Sequence, residues 1–411
     1  MKIDTTNTPW ITETSYISPW SYKAAQELDL AEDITVYDIT LRDGEQFPGL
    51  VFNKDQKVEL AQKLDEMGIK RLEAGMAAVS QDDFDAIKEI SKRVSADVVG
   101  FCRGLRSDVD LSFDAGVWGV VVELPTSQSL VETAFRWNRD EVIKKAIDVC
   151  NYAKSKGLHT TFFLVDSSGS SPDYLQPIVT KVVAETDLDS LVAVDTFGRL
   201  NPIGAMAFVK QVKEWAGGLP IEAHFHNDFG LGVANTLAGV AAGATTVHSA
   251  MLGLGERSGS TPTEEIAVAL RFLYGIETGI NYERILETAR SFEAIAGIKL
   301  PGHKPVVGEG SFSYEVGVAA MMAYNLFEAG FPLGVMPYLP ETVGNKFEIL
   351  LGKKSGKYSV NWYLKKMEKS ATKEQVREMV SKIKEVSLKK GSMVTQDEFE
   401  KIFQKTAGSG E

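Results

Sequence analysis

Cysteine is scarce in this chain, and so is any concentration of positive charge. Only Cys102 and Cys150 are cysteines among 411 residues, so the sequence carries no disulfide framework and favours a reducing compartment. The formal net charge is −12, and no run of lysine and arginine is interleaved with aromatic residues. Because a nucleic-acid partner requires cations that neutralise phosphates on one face, we expect no nucleic acid to bind.

Long apolar runs are also missing. No stretch approaches the roughly 20 consecutive apolar residues that cross a bilayer, and residues 1–10 lack both the basic and the apolar region of a secretory signal. We therefore expect a cytoplasmic protein with no membrane partner. Hydrophobic residues make up 44% of the chain and charged residues 24%, a balance that provides ample material for a globular core.

Short apolar, β-branched runs alternate with amphipathic stretches eight times along the chain. After the first run, Asn53 and Gln56 have the pattern of a capping box, and Gly68 is suited to end the helix. Eight strand–helix units close a barrel, and no Gly-x-Gly-x-x-Gly sequence opens the first unit. We therefore predict an α/β fold, a (β/α)8 TIM barrel, rather than a doubly wound sheet. The predicted strands are 34–41, 71–75, 97–101, 119–124, 159–166, 190–197, 220–227 and 245–252.

The alternation stops beyond about residue 278. Residues 301–310 are rich in glycine and proline and are typical of a loop or linker, and helical patterns follow, the last two at 373–389 and 396–405. The predicted domains are an N-terminal arm at 1–32, the catalytic barrel at 33–285, and a linker with a mostly helical C-terminal appendage at 286–411.

Polar side chains gather where the predicted strands end, which is the place of the active site in such barrels. The seventh strand contains His224 and His226, and alternate residues of a strand face the same way about 6.6–6.8 Å apart. Two imidazoles at this spacing can share one metal ion, and Asp43 at the end of the first strand is a candidate third ligand; such a set accommodates Mg, Mn or Zn. The alternative is that the two histidines merely line the barrel mouth.

Arg42 directly precedes the candidate ligand Asp43. A metal ion and a guanidinium can jointly polarise a carbonyl group and stabilise an enolate or alkoxide, so Arg42 is a candidate catalytic residue. It can also form a salt bridge with Glu45, Glu73 or Glu222, and the two roles are compatible. Glu73 and Glu222 are candidates to anchor these groups.

A Gly-rich loop follows the eighth strand and opens a helix, from Gly253 to Pro262. This position is suited to cradle an anionic group with backbone N–H groups, although tight turns require glycine in any case. Gly255, Glu256 and Arg257 are therefore candidate substrate-binding residues.

Three of these segments together resemble one family. They are Thr-Leu-Arg-Asp-Gly-Glu-Gln at 40–46, His-Phe-His-Asn-Asp at 224–228 and Gly-Glu-Arg-Ser-Gly at 255–259. In this order they are similar to the DRE-TIM metallolyase superfamily, and within it to the isopropylmalate, homocitrate and citramalate synthases. The resemblance runs from about residue 34 to the end, and it includes Leu-Gly-Lys-Lys-Ser-Gly at 351–356.

The resemblance implies a divalent-metal-dependent Claisen condensation that joins acetyl-CoA, or another acyl-CoA, to a 2-oxo acid and releases CoA and a 2-hydroxy acid. It implies that Arg42 stabilises the enolate or alkoxide, and that Gln46, Glu73 and Thr196 line the substrate pocket. The implied ligands of the single metal ion are Asp43, His224 and His226. It also implies a homodimer in which each C-terminal subdomain reaches over the partner's barrel.

Three positions depart from the pattern of these synthases. Their Asp-Ala-Thr-Arg sequence after strand five is Asp-Ser-Ser-Gly at 166–169 here, so the Arg that helps hold the 2-oxo acid is missing. Ser260 stands where many of them have a further asparagine ligand, and Tyr314 stands where they have a catalytic His. Because the ordinary pKa of a tyrosine is about 10, it is a poor general base at neutral pH but can act as a proton donor.

We interpret the chain as a divergent acyltransferase of this branch, acting on a 2-oxo acid unlike the usual short or dicarboxylic ones. Its candidate catalytic residues are Arg42, Glu73 and Tyr314. The alternative is a lyase or aldolase that cleaves a 3-hydroxyacyl-CoA or a 4-hydroxy-2-oxo acid at the same metal site, although the loop after strand eight lacks the cysteine of the CoA-thioester lyases. A third interpretation is a non-catalytic metal-binding scaffold, but it does not explain why Arg42 is found beside the candidate metal ligands.

Overall fold

The computed structural model describes residues 7–31 and 33–407. The remaining residues of the predicted arm (1–6 and 32) and of the predicted appendage (408–411) lie outside this described part. The chain divides into two compact units. One is Tyr22–Leu300, and the other combines the described residues up to Ser21 with those from Pro301 onward.

Eight parallel strands of the first unit close into a barrel in chain order, with the first strand hydrogen-bonded to the eighth. The strands are Thr35–Asp38 (β1), Arg71–Gly75 (β2), Asp97–Cys102 (β3), Gly119–Pro125 (β4), His159–Val165 (β5), Ser190–Asp195 (β6), Ile221–Phe225 (β7) and Thr246–Ser249 (β8). Helices alternate with these strands, so the predicted (β/α)8 barrel is confirmed. The predicted strand ends differ from the observed ones by at most three residues.

Apolar strands explain why this sequence forms a closed parallel barrel. Strands that are covered by helices outside and by packed side chains inside bury both of their faces. Val120, Val121 and Val122 of β4 are accordingly fully buried, as is every residue of β6. Cys102 at the end of β3 is a buried free thiol rather than half of a disulfide.

Helices begin and end where the capping residues of the sequence predict. Asn53 accepts the backbone N–H of Gln56 at 3.0 Å, and the Gln56 side chain accepts the N–H of Asn53 at 3.0 Å. The same box joins Asn138 to Glu141, and Gly68 follows its helix with a φ of +91°. The helices of this part of the chain are Pro19–Ala25 (α1), Lys54–Glu66 (α2), Gln81–Arg93 (α3), Arg106–Asp114 (α4), Arg139–Ser155 (α5), Pro172–Glu185 (α6), Pro202–Trp215 (α7), Gly232–Ala241 (α8), Thr263–Tyr274 (α9) and Ile285–Ala296 (α10).

The second unit is mostly helical, as the patterns at 373–389 and 396–405 predict. Two short strands, Ser313–Tyr314 (β9) and Glu348–Ile349 (β10), pair in parallel. Its helices are Gly317–Glu328 (α11), Lys357–Lys366 (α12), Lys373–Lys390 (α13) and Gln396–Ala407 (α14). An apolar core joins the last three helices and consists of Leu351, Val360, Leu364, Val376, Met379, Ile383, Val394, Phe399 and Ile402.

Residues 7–21 of the predicted N-terminal arm belong to this second unit, whereas the arm from Tyr22 onward belongs to the barrel unit. The backbone N–H of Tyr16 donates to the carbonyl of Pro337, and the N–H of Leu339 donates to the carbonyl of Thr14, each at 2.8 Å. Across residues 7–31 and 33–407, no helix is both long and apolar enough to cross a membrane.

Candidate active site

The chain turns sharply where β1 ends. The carbonyl oxygen of Ile39 accepts the backbone N–H groups of Arg42 at 3.1 Å, Asp43 at 2.9 Å and Gly44 at 3.2 Å. This turn holds two charged side chains at the C-terminal end of the strand, where both are buried: Arg42 is 8% exposed and Asp43 is 1% exposed. Buried charges require partners, so the surroundings of these two residues define the site.

Three potential metal ligands converge at this end of the barrel. Ligand atoms of Asp43, His224 and His226 all lie within 4.8 Å of one another, and all three residues are buried. The two Nε2 atoms of the histidines are 3.2 Å apart, and Oδ1 of Asp43 lies 3.8 Å from Nε2 of His226. The two histidines thus face the same way on β7 and β1 supplies the carboxylate, which is the arrangement that strand alternation predicts.

The protonation of the two imidazoles suits metal binding. Nδ1 of His226 lies 3.2 Å from the carbonyl oxygen of Gly259, and a hydrogen bond between them requires the proton on Nδ1, which leaves the lone pair of Nε2 facing the cluster. Burial and the neighbouring His226 hold the pKa of His224 well below its ordinary value, which keeps that imidazole neutral. Nitrogen ligands of a shared divalent ion lie about 3 Å apart, close to the observed spacing of the two Nε2 atoms. The residues therefore fit a metal ion.

The Gly-rich loop after β8 packs directly against this cluster. A Cβ atom on Gly255, whose φ is +148°, would lie 2.6 Å from Oδ2 of Asp43, and a Cβ on Gly259 would lie 1.8 Å from the carbonyl oxygen of Gly253. Real Cβ atoms are not found this close, so both positions require glycine. The hydroxyl of Ser260 donates to Oδ2 of Asp43 at 2.8 Å. The loop therefore orients the Asp43 carboxylate.

Arg42 is held on three sides. Its Nε pairs with Glu73, its guanidinium carbon lies 3.9 Å from the centre of the Phe101 ring, and Nη1 lies 3.4 Å from both Asp43 and Gln46. Burial alone would lower the pKa of Arg42, but the adjacent carboxylates of Glu73 and Asp43 outweigh it and raise that pKa. Nη2 of Arg42 has no hydrogen-bond partner in the described part of the chain, so it can donate to a bound molecule.

Glu73 connects Arg42 to the barrel wall. This carboxylate is fully buried and also accepts the hydroxyl of Tyr37 at 2.8 Å. Burial, followed by the charge of Glu73, raises the pKa of Tyr37 well above its ordinary value, so Tyr37 remains a hydrogen-bond donor. Of the three salt bridges considered for Arg42 from the sequence, the structure contains the one to Glu73.

Glu222 lies in a different network. Its carboxylate contacts His248 at 2.7 Å, Ser190 at 2.7 Å and Arg71 at 3.1 Å. Although burial favours the neutral form, the bond to His248 and the positive charges lower the pKa of Glu222 to about 2. Glu222 and His248 therefore stabilise the barrel, while Glu45 pairs with Lys57.

Of the candidate substrate-binding residues, Gln46 follows β1, Thr196 follows β6, and residues 255–257 lie on the loop after β8. The hydroxyl of Thr196 accepts the backbone N–H of Asp166 at 2.8 Å. Arg257, which has a positive φ of 56°, pairs with Asp228 at 3.0 Å, donates to the carbonyl of Thr196 and lies 3.3 Å from Glu256. The guanidinium of Arg257 is thus largely occupied by protein groups, and it ties the loop after β8 to the loop after β6.

Tyr314 lies in β9, in the second compact unit. Its hydroxyl donates to the carbonyl oxygen of Val335 at 2.6 Å, and its ring packs against Phe347 with centroids 5.9 Å apart. The predicted catalytic role of Tyr314 stays a prediction.

Two charged residues near the site were missed from the sequence. Arg199 pairs with Asp166 at 3.1 Å, and its Nη1 lies 2.4 Å from the position of a Cβ atom on Gly169. Its guanidinium therefore occupies space beside the position where the related synthases have their Arg. Glu123 of β4 is the other, and burial raises its pKa to about 7. A single acidic residue inside an otherwise apolar strand was the signal that could have identified it.

The family model for HMGL-like proteins matches residues 33–291, which is more than half of the chain. The chain belongs to the HMGL-like family. Three curated relatives that are 35–37% identical to this chain are named as synthases. The homocitrate synthase AksA of Methanopyrus kandleri is 37% identical over 370 residues, and the alignment covers 89% of this chain and 91% of that protein.

Two further relatives are named as a citramalate synthase and an isopropylmalate synthase, the other two kinds of enzyme that the motifs resemble. The putative (R)-citramalate synthase CimA of Archaeoglobus fulgidus is 37% identical, with 90% of this chain and 75% of that protein covered. The probable 2-isopropylmalate synthase of Ignicoccus hospitalis is 35% identical, and the alignment covers 93% of this chain and 95% of that protein. The prediction of an acyltransferase-type synthase of this branch is confirmed by these relatives.

A solved structure supports the fold of the barrel. The HMG-CoA lyase of Bacillus subtilis superimposes with a TM-score of 0.58 at 22% identity, covering 66% of this chain and 96% of the lyase. Identity this low bears on the fold and not on the reaction, so the synthase relatives outweigh the lyase in the assignment of chemistry.

Proposed function

We propose that this chain condenses acetyl-CoA with a 2-oxo acid. The methyl carbon of the acetyl group forms a bond to C2 of the oxo acid, the oxo oxygen becomes a hydroxyl, and water cleaves the thioester to give CoA and a 2-hydroxy diacid. The observation that carries the proposal is the buried convergence of Asp43, His224 and His226 beside a guanidinium with a free donor, in a chain of this family.

Asp43, His224 and His226 would hold one divalent ion, which we propose to be Mg, Mn or Zn. When bound, such an ion supplies a Lewis acid that polarises the oxo group of the acceptor. The site's mixture of one carboxylate and two imidazoles accommodates all three metals. Ser260 and Gly255 support the site through their contacts to the Asp43 carboxylate.

Arg42 is the proposed electrostatic catalyst. Its Nη2 can donate to an oxygen that gains negative charge during condensation. Because Glu73 and the Phe101 ring already fix the guanidinium, little reorganisation accompanies the reaction. Glu73 thus acts by positioning Arg42, and Tyr37 positions Glu73 in turn.

Proton transfer and substrate binding rest on residues whose roles are proposals from the family resemblance. Tyr314 is the proposed proton donor. Gln46 and Thr196 are proposed to contact the acceptor, and Gly255, Glu256 and Arg257 to form the anion-binding loop. Gln46 is supported by its position 3.4 Å from Nη1 of Arg42.

We further propose a cytoplasmic homodimer in which the C-terminal subdomains are exchanged. Trp20 supports self-association because 83% of this large apolar side chain is exposed in the single chain. Light scattering of the purified protein is expected to give twice the chain mass of 45.0 kDa.

Thiol release tests the proposed function. Purified protein with Mg or Mn and acetyl-CoA receives pyruvate, 2-oxoisovalerate, oxaloacetate, 2-oxoglutarate or longer 2-oxo acids singly, and release of CoA is followed. We expect release that depends on both metal and one class of acceptor. Asp43→Asn should abolish it, whereas Asp189→Asn, which alters a carboxylate paired with Lys154, should leave it unchanged. Metal binding without release on any acceptor would favour the lyase or aldolase alternative.

A further inference from the structure

The side chain of Glu123 faces the interior of the barrel. Glu123 is the neighbour of Phe163 in the register of β4 and β5, and residues paired across parallel strands share a face. The Phe163 ring lies inside the barrel, with its centroid 5.0 Å from the ring of His224 and 5.6 Å from that of Phe101. Val121, two residues before Glu123, is paired with Phe101 and faces the same interior.

Three apolar side chains form the barrel wall beside Glu123, and this wall adjoins the candidate active site. Phe101, Val121 and Phe163 form it, and the two phenylalanine rings also flank the guanidinium of Arg42, at 3.9 Å for Phe101 and 5.8 Å for Phe163. Burial is the main cause that raises the pKa of Glu123 to about 7; Arg42 opposes this rise and Glu73 adds to it. Glu123 is thus close enough for the charge of Arg42 to affect its pKa.

Glu123 has no hydrogen bond or ion pair to another residue among 7–31 and 33–407, and its side chain is half-buried, so a molecule that enters the barrel mouth can reach it. Water can hydrate a half-buried carboxyl group, and a bound molecule that displaces this water must itself offer a hydrogen-bond donor to avoid a desolvation cost. Arg103, whose charge also acts on Glu123, makes a two-pronged pair with Asp108 at 2.9 and 3.2 Å. Glu123 is therefore available to accept a hydrogen bond from a bound molecule.

We propose that Glu123 determines acceptor specificity, by binding a hydrogen-bond-donating group, a hydroxyl or an ammonium, on the side chain of the 2-oxo acid. This inference rests on the proposed condensation. An acceptor with a purely apolar side chain would leave the Glu123 carboxyl unsatisfied. An acceptor with a second carboxylate would place like charge beside Glu123 and Glu73.

Matched acceptors that differ by one hydroxyl test the inference. Pyruvate is compared with hydroxypyruvate, 2-oxopentanoate with 4-hydroxy-2-oxopentanoate, and 2-oxoglutarate serves as the dicarboxylate. In the wild-type protein, the more reactive of the two hydroxylated acids should have a kcat/KM about 10- to 100-fold higher than the matched acid that lacks the hydroxyl. This ratio is the effect of one hydrogen bond to a charged group. Glu123→Leu should reverse this preference, and Glu123→Gln, which retains an acceptor atom, should reduce it by less.

The exposed Glu132→Gln, shortly after the same strand, is the control and should behave as the wild type. Equal kcat/KM values for the matched acceptors in the wild type, or an unchanged ratio in Glu123→Leu, would overturn the inference. So would an equal loss of kcat with every acceptor in Glu123→Gln, which would identify a proton-transfer role instead.

Calorimetry separates failure of this inference from failure of the proposed function. If no acceptor supports CoA release, the condensation is refuted, and binding of the same acids to the metal-loaded protein still tests Glu123. Tighter binding of the hydroxylated acid, reversed in Glu123→Leu, would support the role of Glu123. Equal affinities for the hydroxylated and unhydroxylated acids would refute the role of Glu123.

Discussion

Alanine at position 255 should damage the metal site through a contact rather than through the fold. The added Cβ would lie 2.6 Å from Oδ2 of Asp43, about 0.8 Å inside ordinary contact, so the carboxylate must move. The φ of +148° at Gly255 lies in a region that L-residues rarely adopt, and forcing an alanine into it costs about 1–3 kcal/mol. Displacing a ligand of a preorganised site typically weakens metal binding by about 10- to 100-fold.

The assay is titration of Mn²⁺ by calorimetry, with thermal unfolding measured on the same samples. Gly253→Ala is the matched control: it lies in the same loop with a φ of +72°, but its Cβ would meet Cγ of Pro262 at 3.0 Å instead of Asp43. Both variants should lose stability, and only Gly255→Ala should lose at least about 10-fold in Mn²⁺ affinity beyond the control. Equal Mn²⁺ affinities for the two variants would refute the reasoning that this loop orients Asp43 as a ligand.

Three further substitutions test the other groups. Arg42→Lys should lower kcat by about 100-fold or more while Mn²⁺ binding persists, because the donors of an ammonium share one nitrogen and cannot reproduce the separated Nε and Nη2 donors of the guanidinium. A change confined to KM would contradict this role. Glu222→Gln tests the link between the ionisation of Glu222 and the stability of the fold. Because folding lowers the pKa of Glu222 from 4.5 to about 2, its charge stabilises the folded state above pH 4.5, and this stabilisation is lost as the pH falls toward 2. The free energy of unfolding, measured with urea between pH 5 and 3, should therefore fall less with pH in the variant than in the wild type, by on the order of 2–3 kcal/mol at most. An equal fall in both proteins would contradict the role of Glu222. Tyr314→Phe should lower kcat by about 100-fold if its hydroxyl donates the proton, whereas loss of the Val335 hydrogen bond alone would change stability by about 1 kcal/mol and leave kcat intact.

Local patterns in the sequence were sufficient for the barrel and for the convergence of the candidate metal ligands. Strand alternation places His224 and His226 on one face, and the C-terminal ends of parallel strands meet at one rim, so the approach of Asp43 to the two histidines could be predicted. The capping pair of Asn53 and Gln56 is equally local, and the structure contains it.

The features that sequence reasoning missed depend on which strands are neighbours and in what register. Glu123 is informative only because β4 pairs it with Phe163, next to Arg42. Arg199 reaches the space beside Gly169 from a loop thirty residues later, which no local pattern indicates. Glu222 shares a face with His224, but its pairing with His248 depends on the next strand and separates it from the metal ligands.

Formation of the carbon–carbon bond is the central claim, and carbon-13 NMR of the product measures it directly. With acetyl-CoA labelled at the methyl carbon and the acceptor that gives the fastest CoA release, the account predicts that the label becomes a methylene carbon attached to a carbinol carbon. Label that remains a methyl group in free acetate would show thioester hydrolysis without condensation and would contradict the account.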